Sequence, residues 1–471
     1  MDSAWMAVFP SLLHGGLLIS IVVSIITTTR FEPPGTASMP SFEKLFSTHA
    51  TVAFFVEYEK ALAQVQAERG LIPSWAAERI ARDARAATVD LPSLERASGQ
   101  VGFPVAPFVR QLAHACGEAG EYLHWGSTTQ DLLLSARARQ INTALPRLER
   151  LLAGILERLA ILAAQYRDTP MAGRGFGGHA LPITFGLKLS HWMVPLLRHA
   201  DRMRALLARP IDGELAGAMG TLASMGAEAL AVQRAVLDRL ELPVPLASAS
   251  SARDAVAEVI QFLALLTASL AKIAQDIAHL AWTEIGELAE PTAGTAGMSS
   301  TLPHKANPIL SWQIMAGATL VQRNADAMIG AVRQEQERSG HGFIEGRVVP
   351  EAFIESHACL EKMLALLDGL RVDTGRMRRN LDATGGMIVA EAVQMALAPS
   401  LGRLRAHDLV HQACAESVKP GRVLLDTLAE MPEVHAALSR DDLRRLLDPC
   451  RYLGSAGAIV DRVVGQVRAR S

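Results

Sequence analysis

The sequence predicts an all-α protein. In this chain of 471 residues, 49% of the residues are hydrophobic but only 5% are aromatic, so Ala, Leu and Val carry the apolar content. Ala and Leu are strong helix formers, and this composition favours long packed helices. Several long stretches repeat apolar residues at helical spacing, whereas no stretch alternates strongly in the manner of a β-strand. No Walker motif is present, and no repeat of fixed period occurs.

The amino terminus is apolar and differs from the rest of the chain. Residues 3–29 contain no Lys, Arg, Asp or Glu, and residues 17–26 are strongly apolar, as in a membrane anchor or a signal-peptide core. However, no Lys or Arg precedes the apolar run, and His14-Gly15-Gly16 interrupts it. The first globular pattern follows Met39. We therefore interpret residues 1–38 as an apolar extension ahead of the fold, with a membrane anchor as the alternative, and do not expect a membrane partner.

After Met39 one helical pattern follows another. The segments with helical spacing are Thr51 to Gly70, Leu145 to Tyr166, Leu187 to Ala208, Met225 to Leu240 and Arg253 to Leu288. The last two carry too little charge for surface helices, which predicts a central helical bundle. We expect an N-terminal helical domain over residues 39–140, a central bundle domain over residues 141–360 and a C-terminal helical domain over residues 361–471.

Charge and cysteine content narrow the function classes. The net charge is −2 and no large block of one sign occurs, so nucleic acid is not an expected partner. Cys116, Cys359, Cys414 and Cys450 lack the spacing of a zinc site or of a disulfide framework. We therefore expect a protein of a reducing compartment, namely the cytoplasm.

The most informative segment is Gly297 to Pro308, which reads GMSSTLPHKANP and is too rich in Gly and Pro for a regular helix. A serine here acts as a base only as an alkoxide, which the ammonium of Lys305 and loop N–H groups would stabilise. Lys305 and Asn307 are also suited to hold a substrate carboxylate. The alternative is a Gly/Ser linker with an incidental lysine.

Two further loops carry polar residues between helices. In His124 to Asp131 (HWGSTTQD), hydroxyl groups precede a helix expected from about Leu132, which is typical either of an anion site or of an ordinary N-cap. Gly173 to Pro182 (GRGFGGHALP) is rich in glycine, which suggests backbone brought close to something small. His179 within it is either a structural hydrogen bonder or a site residue.

In order and spacing, these three loops resemble the motifs of the fumarase/aspartase superfamily, whose members eliminate a group β to a carboxylate. The segments Gln334 to Ser339, Met377 to Asp382 and Leu446 to Gly454 are similar to the branch of the 3-carboxy-cis,cis-muconate cycloisomerases, with adenylosuccinate lyases more distant. The resemblance implies a three-domain all-α fold whose long central helical bundle is shared in a homotetramer. It also implies active sites built from three chains and no cofactor or metal.

The resemblance assigns roles to particular residues. Ser299 matches the catalytic base, and Lys305 and Asn307 match the residues that grip the substrate carboxylate. The residues that match substrate-binding positions or neighbour them in the first two loops are His124, Ser127, Thr128, Thr129, Arg174 and His179.

Departures from the family pattern bear on the substrate. Phe176 stands where adenylosuccinate lyases have a catalytic His and the cycloisomerases an aromatic residue, and Ala306 replaces an Arg. Gly177 and Gly178 replace bulkier residues. Arg347 falls where adenylosuccinate lyases have a substrate-binding Arg and the cycloisomerases an aromatic residue. A forked guanidinium suits a second carboxylate, although an isolated Arg on a helix is often merely a solvated side chain.

These features predict a lyase that carries out anti β-elimination on a substituted succinate, a small dicarboxylate, to give fumarate or a close relative. A small leaving group such as nitrite, as in nitrosuccinate lyases, needs no strong general acid and so suits Phe176. The alternatives are a 3-carboxy-cis,cis-muconate cycloisomerase, an adenylosuccinate lyase-like carbon–nitrogen lyase, and a helical scaffold without activity.

Overall fold

A computed structural model describes residues 40–291, 301–302, 304–338, 340, 342–419 and 422–470. The apolar extension 1–38 and the predicted base Ser299 lie outside the described residues. Residues 42–471 cluster as one compact unit.

The described residues are mostly helical. The helices are Phe42–Leu45 (α1), Thr48–Glu68 (α2), Ser74–Asp83 (α3), Leu91–Val101 (α4), Val105–Cys116 (α5), Thr129–Gln165 (α6), Phe185–Leu207 (α7), Ala229–Arg239 (α8), Asp254–Leu280 (α9), Ile309–Val332 (α10), Gly342–Asp368 (α11), Thr374–Asp382 (α12), Ala390–Leu401 (α13), Arg403–Ser417 (α14), Leu424–Glu430 (α15), Pro432–Ala437 (α16), Arg440–Leu446 (α17) and Ala456–Arg468 (α18). Short 3-10 turns occupy Ala86–Thr88, Gly117–Tyr122, Ala223–Glu228, Met387–Val389 and Pro449–Arg451. The strands are Pro170–Gly175 (β1), Gly178–Thr184 (β2), Leu288–Ala289 (β3) and Arg371–Val372 (β4), paired antiparallel as β1–β2 and β3–β4.

Five long helices form the centre of the fold. α9 packs along α10, α10 along α11, and α6 against both α7 and α11. Their buried faces are mainly Leu, Ile, Val, Met and Ala, with a few aromatic residues such as Trp192 and Phe353, so the core depends largely on aliphatic packing, as the composition predicted. Helices α13 to α17 enclose a second, smaller hydrophobic cluster that includes Val393, Leu409 and Leu428.

The predicted helices are largely present. The segment predicted as Thr51 to Gly70 is a helix over Thr48–Glu68, which begins one turn earlier because Ser47 caps its amino end. The helix expected from about Leu132 and the one expected from Leu145 are one continuous helix, α6. The boundaries proposed near residues 140 and 360 therefore fall inside α6 and α11, and the domain division stays a prediction.

Two local expectations were wrong. The helix predicted from Arg253 to Leu288 ends at Leu280, and the apolar residues that prolonged the pattern belong to the turn and to β3. The glycine-rich segment 173–182 is not an open loop but most of a β-hairpin. Phe176 and Gly177 form its two-residue turn with φ of +52° and +84°, the positive values that a tight hairpin turn requires.

Among the described residues, only α9 is long and apolar enough to cross a membrane by length and composition. In this fold α9 is a core helix, because α10 and α11 pack against it and its apolar side is buried.

Two histidines in the helical core, the buried His199 and the half-buried His357, are held neutral. Burial, with the charges of Arg202 and Arg198, lowers the pKa of His199 to about 4, and its Nε2 lies 2.9 Å from the Ser269 hydroxyl. Burial and the charge of Arg147 likewise lower the pKa of His357 to about 4.

We expect these two rings to destabilise the protein in mild acid. Unfolded histidine takes up a proton near pH 6.5, whereas the folded rings resist until about pH 4, so the stability they contribute is lost as pH falls through this window. The loss is roughly 3 kcal/mol per ring at most. Denaturant unfolding between pH 7 and pH 4 measures it. His199→Gln or His357→Phe should flatten the slope, and the exposed control His407→Gln should leave it unchanged. An unaltered slope in both core variants would contradict the assignment.

Candidate active site

The first loop is organised by the buried carboxylate of Asp131 in the first turn of α6. Its Oδ1 accepts the N–H of Ala216 at 2.9 Å, and its Oδ2 accepts the N–H of Thr128 at 2.9 Å and the hydroxyl of Ser127 at 3.1 Å. Asp131 is 1% exposed, and burial raises its pKa although these hydrogen bonds oppose the rise. The loop is therefore fixed to the segment that precedes α8.

The three hydroxyl residues of this loop differ in their surroundings. The Ser127 hydroxyl donates to Asp131. The Thr128 hydroxyl oxygen lies 3.5 Å from Nη1 of Arg338, at the far end of the α10–α11 connection. Thr129 is the first residue of α6 and is half-buried. The Thr128 hydroxyl thus lies beside an exposed cation, whereas the Ser127 hydroxyl makes a hydrogen bond within the loop.

His124 begins the first loop in a left-handed conformation with φ of +57°. Its ring Nδ1 lies 2.7 Å from Oε1 of Glu59, and its backbone N–H donates to Oε2 of the same carboxylate at 2.8 Å. Glu59 is in the middle of α2 and is 1% exposed. The Nδ1 side of the ring is therefore occupied, and Nε2 is the nitrogen left for another partner.

The β-hairpin is anchored by an ion pair. Arg174 makes two hydrogen bonds of 2.9 and 2.6 Å to the buried carboxylate of Glu287, which also accepts the side-chain N–H of Asn380 at 2.8 Å. This guanidinium is thus engaged in holding the hairpin, and its predicted role in substrate binding stays a prediction. His179 lies directly across the ladder from Arg174. Burial and the Arg174 charge lower the pKa of His179, while the Phe176 ring at the tip is fully exposed.

The third loop is described from Thr301 onward, except Pro303. Glu290, which precedes this loop, binds the residues that follow it. Its carboxylate accepts the N–H of Leu310 at 2.9 Å and both the N–H and the hydroxyl of Ser311, at 2.7 and 2.6 Å. Glu290 therefore joins the start of the loop to the first turn of α10. Lys305 and Asn307 lie only a few residues before this fixed point.

The two predicted carboxylate ligands of the third loop differ in exposure. Lys305 is exposed, and its ammonium forms no ion pair with any residue that the structure describes. Asn307 is half-buried, and its carbonyl accepts the N–H of Ile309 at 2.9 Å.

Arg347 lies in the second turn of α11 and is exposed, without an ion-pair partner in the described part of the chain. Two residues earlier, the buried Glu345 is bound by Arg253 through two contacts of 2.8 Å. The turn that carries Arg347 is therefore fixed to the amino end of α9, while its guanidinium faces outward.

The structure places the three loops on different parts of the chain. The first is held by α2 and the segment before α8, the second by Glu287 and α12, and the third by Glu290 at the start of α10. Each loop is thus fixed to the helical core, and the carboxylates that hold the second and third loops, Glu287 and Glu290, are only three positions apart.

Sequence reasoning missed the buried carboxylates that hold these loops, namely Glu59, Asp131, Glu287 and Glu290. The pattern Thr128-Thr129-Gln130-Asp131 is a capping box and could have identified Asp131. The other three had no local signal, because each binds residues at least 20 positions away in sequence.

Comparisons with known proteins agree with this architecture. The family model described as "Lyase" matches residues 40–322, and the model described as "Adenylosuccinate lyase C-terminus" matches residues 386–463. The fold and its loops are thus those of an all-α lyase, and the chain belongs to the fumarase/aspartase superfamily.

Two curated relatives and one solved structure are similar over nearly the whole chain. The 3-carboxy-cis,cis-muconate cycloisomerase of Pseudomonas aeruginosa is 39% identical, over 90% of this chain and 94% of the relative. The nitrosuccinate lyase of Streptomyces davaonensis is 39% identical, over 90% of this chain and 92% of the relative. The crystal structure of a fumarate lyase from Mesorhizobium sp. BNC1 is 43% identical with a TM-score of 0.83, over 90% of this chain and 99% of that one.

Proposed function

We propose that this enzyme carries out anti β-elimination on a substituted succinate and releases fumarate or a close relative. Ser299 acts as the base, and Lys305 and Asn307 bind the carboxylate next to the carbon that loses its proton. The observation that carries the proposal is that Ser299, Lys305 and Asn307 all occur in the family's loop, in a chain of this superfamily.

The chemistry follows from these groups. The Ser299 alkoxide takes the proton, and the electron pair of the broken C–H bond moves into the adjacent carboxylate, which becomes a dianionic aci-carboxylate. Lys305 and Asn307 stabilise this charge with an ammonium and an amide donor, which is the largest electrostatic demand of the reaction. The electron pair then forms the C=C bond as the leaving group departs with the electrons of its own bond.

The contacts that Glu290 makes across the ends of the third loop support these roles. Glu290 binds the first turn of α10, and Lys305 and Asn307 lie only a few residues before that point. The Lys305 ammonium has no carboxylate partner among the described residues, so its charge is available to a substrate.

We propose nitrite as the leaving group, with nitrosuccinate as the substrate. Nitrite is a stable anion and needs no proton to depart, which suits a hairpin whose tip is Phe176 and not an acid. The exposed guanidinium of Arg347, without an ion-pair partner in the described region, suits the second carboxylate of a C4 diacid.

The second candidate is a 3-carboxy-cis,cis-muconate cycloisomerase, which uses the same proton chemistry for an intramolecular lactonisation. The relative of this name is as similar in sequence as the nitrosuccinate lyase is, and Phe176 agrees with the aromatic residue expected in the cycloisomerases. An adenylosuccinate lyase-like reaction is less favoured because Phe176 has no proton to give.

A substrate panel tests the choice. Purified protein is incubated with nitrosuccinate, 3-carboxy-cis,cis-muconate and other succinate derivatives, and absorbance at the fumarate band is followed together with released nitrite. Equal amounts of fumarate and nitrite support the lyase. Loss of muconate absorbance without fumarate supports the cycloisomerase, and no turnover of any compound contradicts both.

We further propose a homotetramer that shares its central bundle and assembles each site from several chains. α10 exposes an apolar stripe over successive turns, formed by Ile309, Trp312, Ala316 and Leu320. Trp312 is 59% and Leu320 45% exposed, and a continuous apolar stripe of this kind on a central helix is typical of an interface.

We expect light scattering at micromolar concentration to give the mass of four chains. Leu320→Glu should lower that mass, because it places a charge in the apolar stripe, whereas the control Leu404→Glu, at an exposed residue of the second cluster's helices, should not. A monomer in the unmodified protein would contradict the shared bundle.

A further inference from the structure

Glu59 and His124 form a hydrogen-bonded pair that has no part in the proposed proton transfer. The two carboxylate oxygens of Glu59 accept two different groups of His124, the ring Nδ1–H at 2.7 Å and the backbone N–H at 2.8 Å. The Glu59 side chain is 1% exposed and the His124 side chain 18% exposed. Glu59 thus binds both the backbone and the ring of one residue from a buried position.

We propose that Glu59 is a positioning residue, which fixes His124 with its proton on Nδ1 and presents Nε2 to the substrate. The part of this that concerns substrate rests on the proposed function. The backbone N–H has only one possible role, that of donor, so it fixes Oε2 of Glu59 as an acceptor. Oε1 of an ionised carboxylate also only accepts, and therefore Nδ1 must carry a hydrogen.

The backbone of the loop supports the same conclusion. A non-glycine residue with φ of +57° is held there by its surroundings, and Glu59 supplies one of the contacts that do so. Gln66, two turns along the same face of α2, donates to the carbonyl oxygen of Trp125 at 2.8 Å. One helix face therefore fixes two consecutive residues of the first loop.

The charges around the ring favour its protonated form. Burial opposes protonation, but the hydrogen bond and charge of Glu59, followed by the charge of Asp131, outweigh burial and raise the pKa of His124 above its usual value. The buried Tyr58 hydroxyl is neutral, because burial and nearby carboxylates raise its pKa. A protonated ring with Nδ1 taken by Glu59 carries its second proton on Nε2, and this N–H⁺ is suited to a substrate carboxylate.

The variant Glu59→Gln tests the proposal because glutamine has a single acceptor oxygen. The backbone N–H requires that oxygen, so the amide NH₂ faces the ring and donates to Nδ1. The neutral ring must then carry its hydrogen on Nε2, the opposite tautomer. Glu57→Gln is the matched control, since Glu57 is an exposed glutamate on the same helix.

The measurement is 15N NMR of histidine-labelled protein at a pH where the ring is neutral, with the His124 signals assigned by their loss in His124→Gln. We expect Nδ1 to be the protonated nitrogen in the unmodified protein and in Glu57→Gln, and Nε2 in Glu59→Gln. On the best substrate of the panel, kcat/KM of Glu59→Gln should fall at least tenfold, mainly through KM, with Glu57→Gln unchanged.

Several results would overturn the inference: Nε2 protonated in the unmodified protein, an unchanged tautomer in Glu59→Gln, or the same kcat/KM in both variants. If Glu59→Gln does not fold, the tautomer of the unmodified protein decides. If the tautomer reverses as expected but the unmodified protein turns over no compound in the panel, the proposed function fails and the hold of Glu59 on the ring stands.

Discussion

Replacing Ser299 with alanine should lower kcat by several orders of magnitude without changing the fold. Alanine differs from serine only by the missing hydroxyl. As an alkoxide, this group would accept the substrate proton in the transition state, and it would contribute little to binding of the substrate in the ground state. Loss of such a group typically costs about a hundred- to ten-thousand-fold in rate, with a small change in KM. Steady-state kinetics on the best substrate of the panel, with circular dichroism as the check on folding, measures the effect.

The matched control is Ser300→Ala, which removes the adjacent hydroxyl from the same loop. It should retain activity within a few-fold, because the proposed chemistry needs one base. A drop of less than about tenfold in Ser299→Ala, or equal losses in both variants, would show that the base is elsewhere.

The helices were predictable because their signal is local. The apolar spacing of α2 and α7 lies within each segment, and so the predicted ends differ from the observed ones by only a few residues. The carboxyl end of α9 was predicted eight residues too late, since Ile285 and Leu288 continue its apolar pattern after Leu280. After Leu280 the chain turns through Gly286, whose φ is +60°, so Ile285 and Leu288 pack in the core without being part of the helix.

The hairpin was missed because its turn lacks the usual signature. Phe176-Gly177 takes the place of the Asn-Gly or Asp-Gly pairs that mark two-residue turns, and three of the strand residues next to that turn or near it are glycines. What stabilises it is non-local, namely the pair of Arg174 with Glu287. No pattern within residues 170–184 contains that information.

The loops that carry the predicted site residues could be located from sequence, but what holds them could not. Glu59 appears as an ordinary charge on a helix, and only the fold brings it to His124, 65 positions away. Glu290 likewise precedes the third loop without any motif of its own, yet it binds Leu310 and Ser311 on the far side. A pattern of residue types identifies chemistry, whereas the positioning of that chemistry depends on tertiary contacts.

The two candidate reactions use the same base and the same residues to bind the substrate carboxylate, so variants of Ser299 or Lys305 do not distinguish them. They differ in what the rest of the substrate requires. A C4 diacid such as nitrosuccinate presents a second carboxylate close to the reacting carbons, and this favours a forked cation. Arg347 is the residue of this chain that best distinguishes the two reactions, because the resemblance implies an aromatic residue at this position in the cycloisomerases.

If Arg347 binds the second carboxylate, Arg347→Lys should lower kcat/KM by roughly 30-fold or more even though the charge is kept. A lysine ammonium is a point-like donor and does not form the two parallel hydrogen bonds of a guanidinium to a carboxylate. Arg444→Lys is the control, since Arg444 is 63% exposed and its one ion-pair partner in the described part of the chain is the exposed Asp441, so such a change has little effect. The measurement is kcat/KM for both variants on nitrosuccinate and on 3-carboxy-cis,cis-muconate. Near-normal values for Arg347→Lys on both compounds would remove the anion-binding role and favour the cycloisomerase-like reaction, in which this position need not hold an anion.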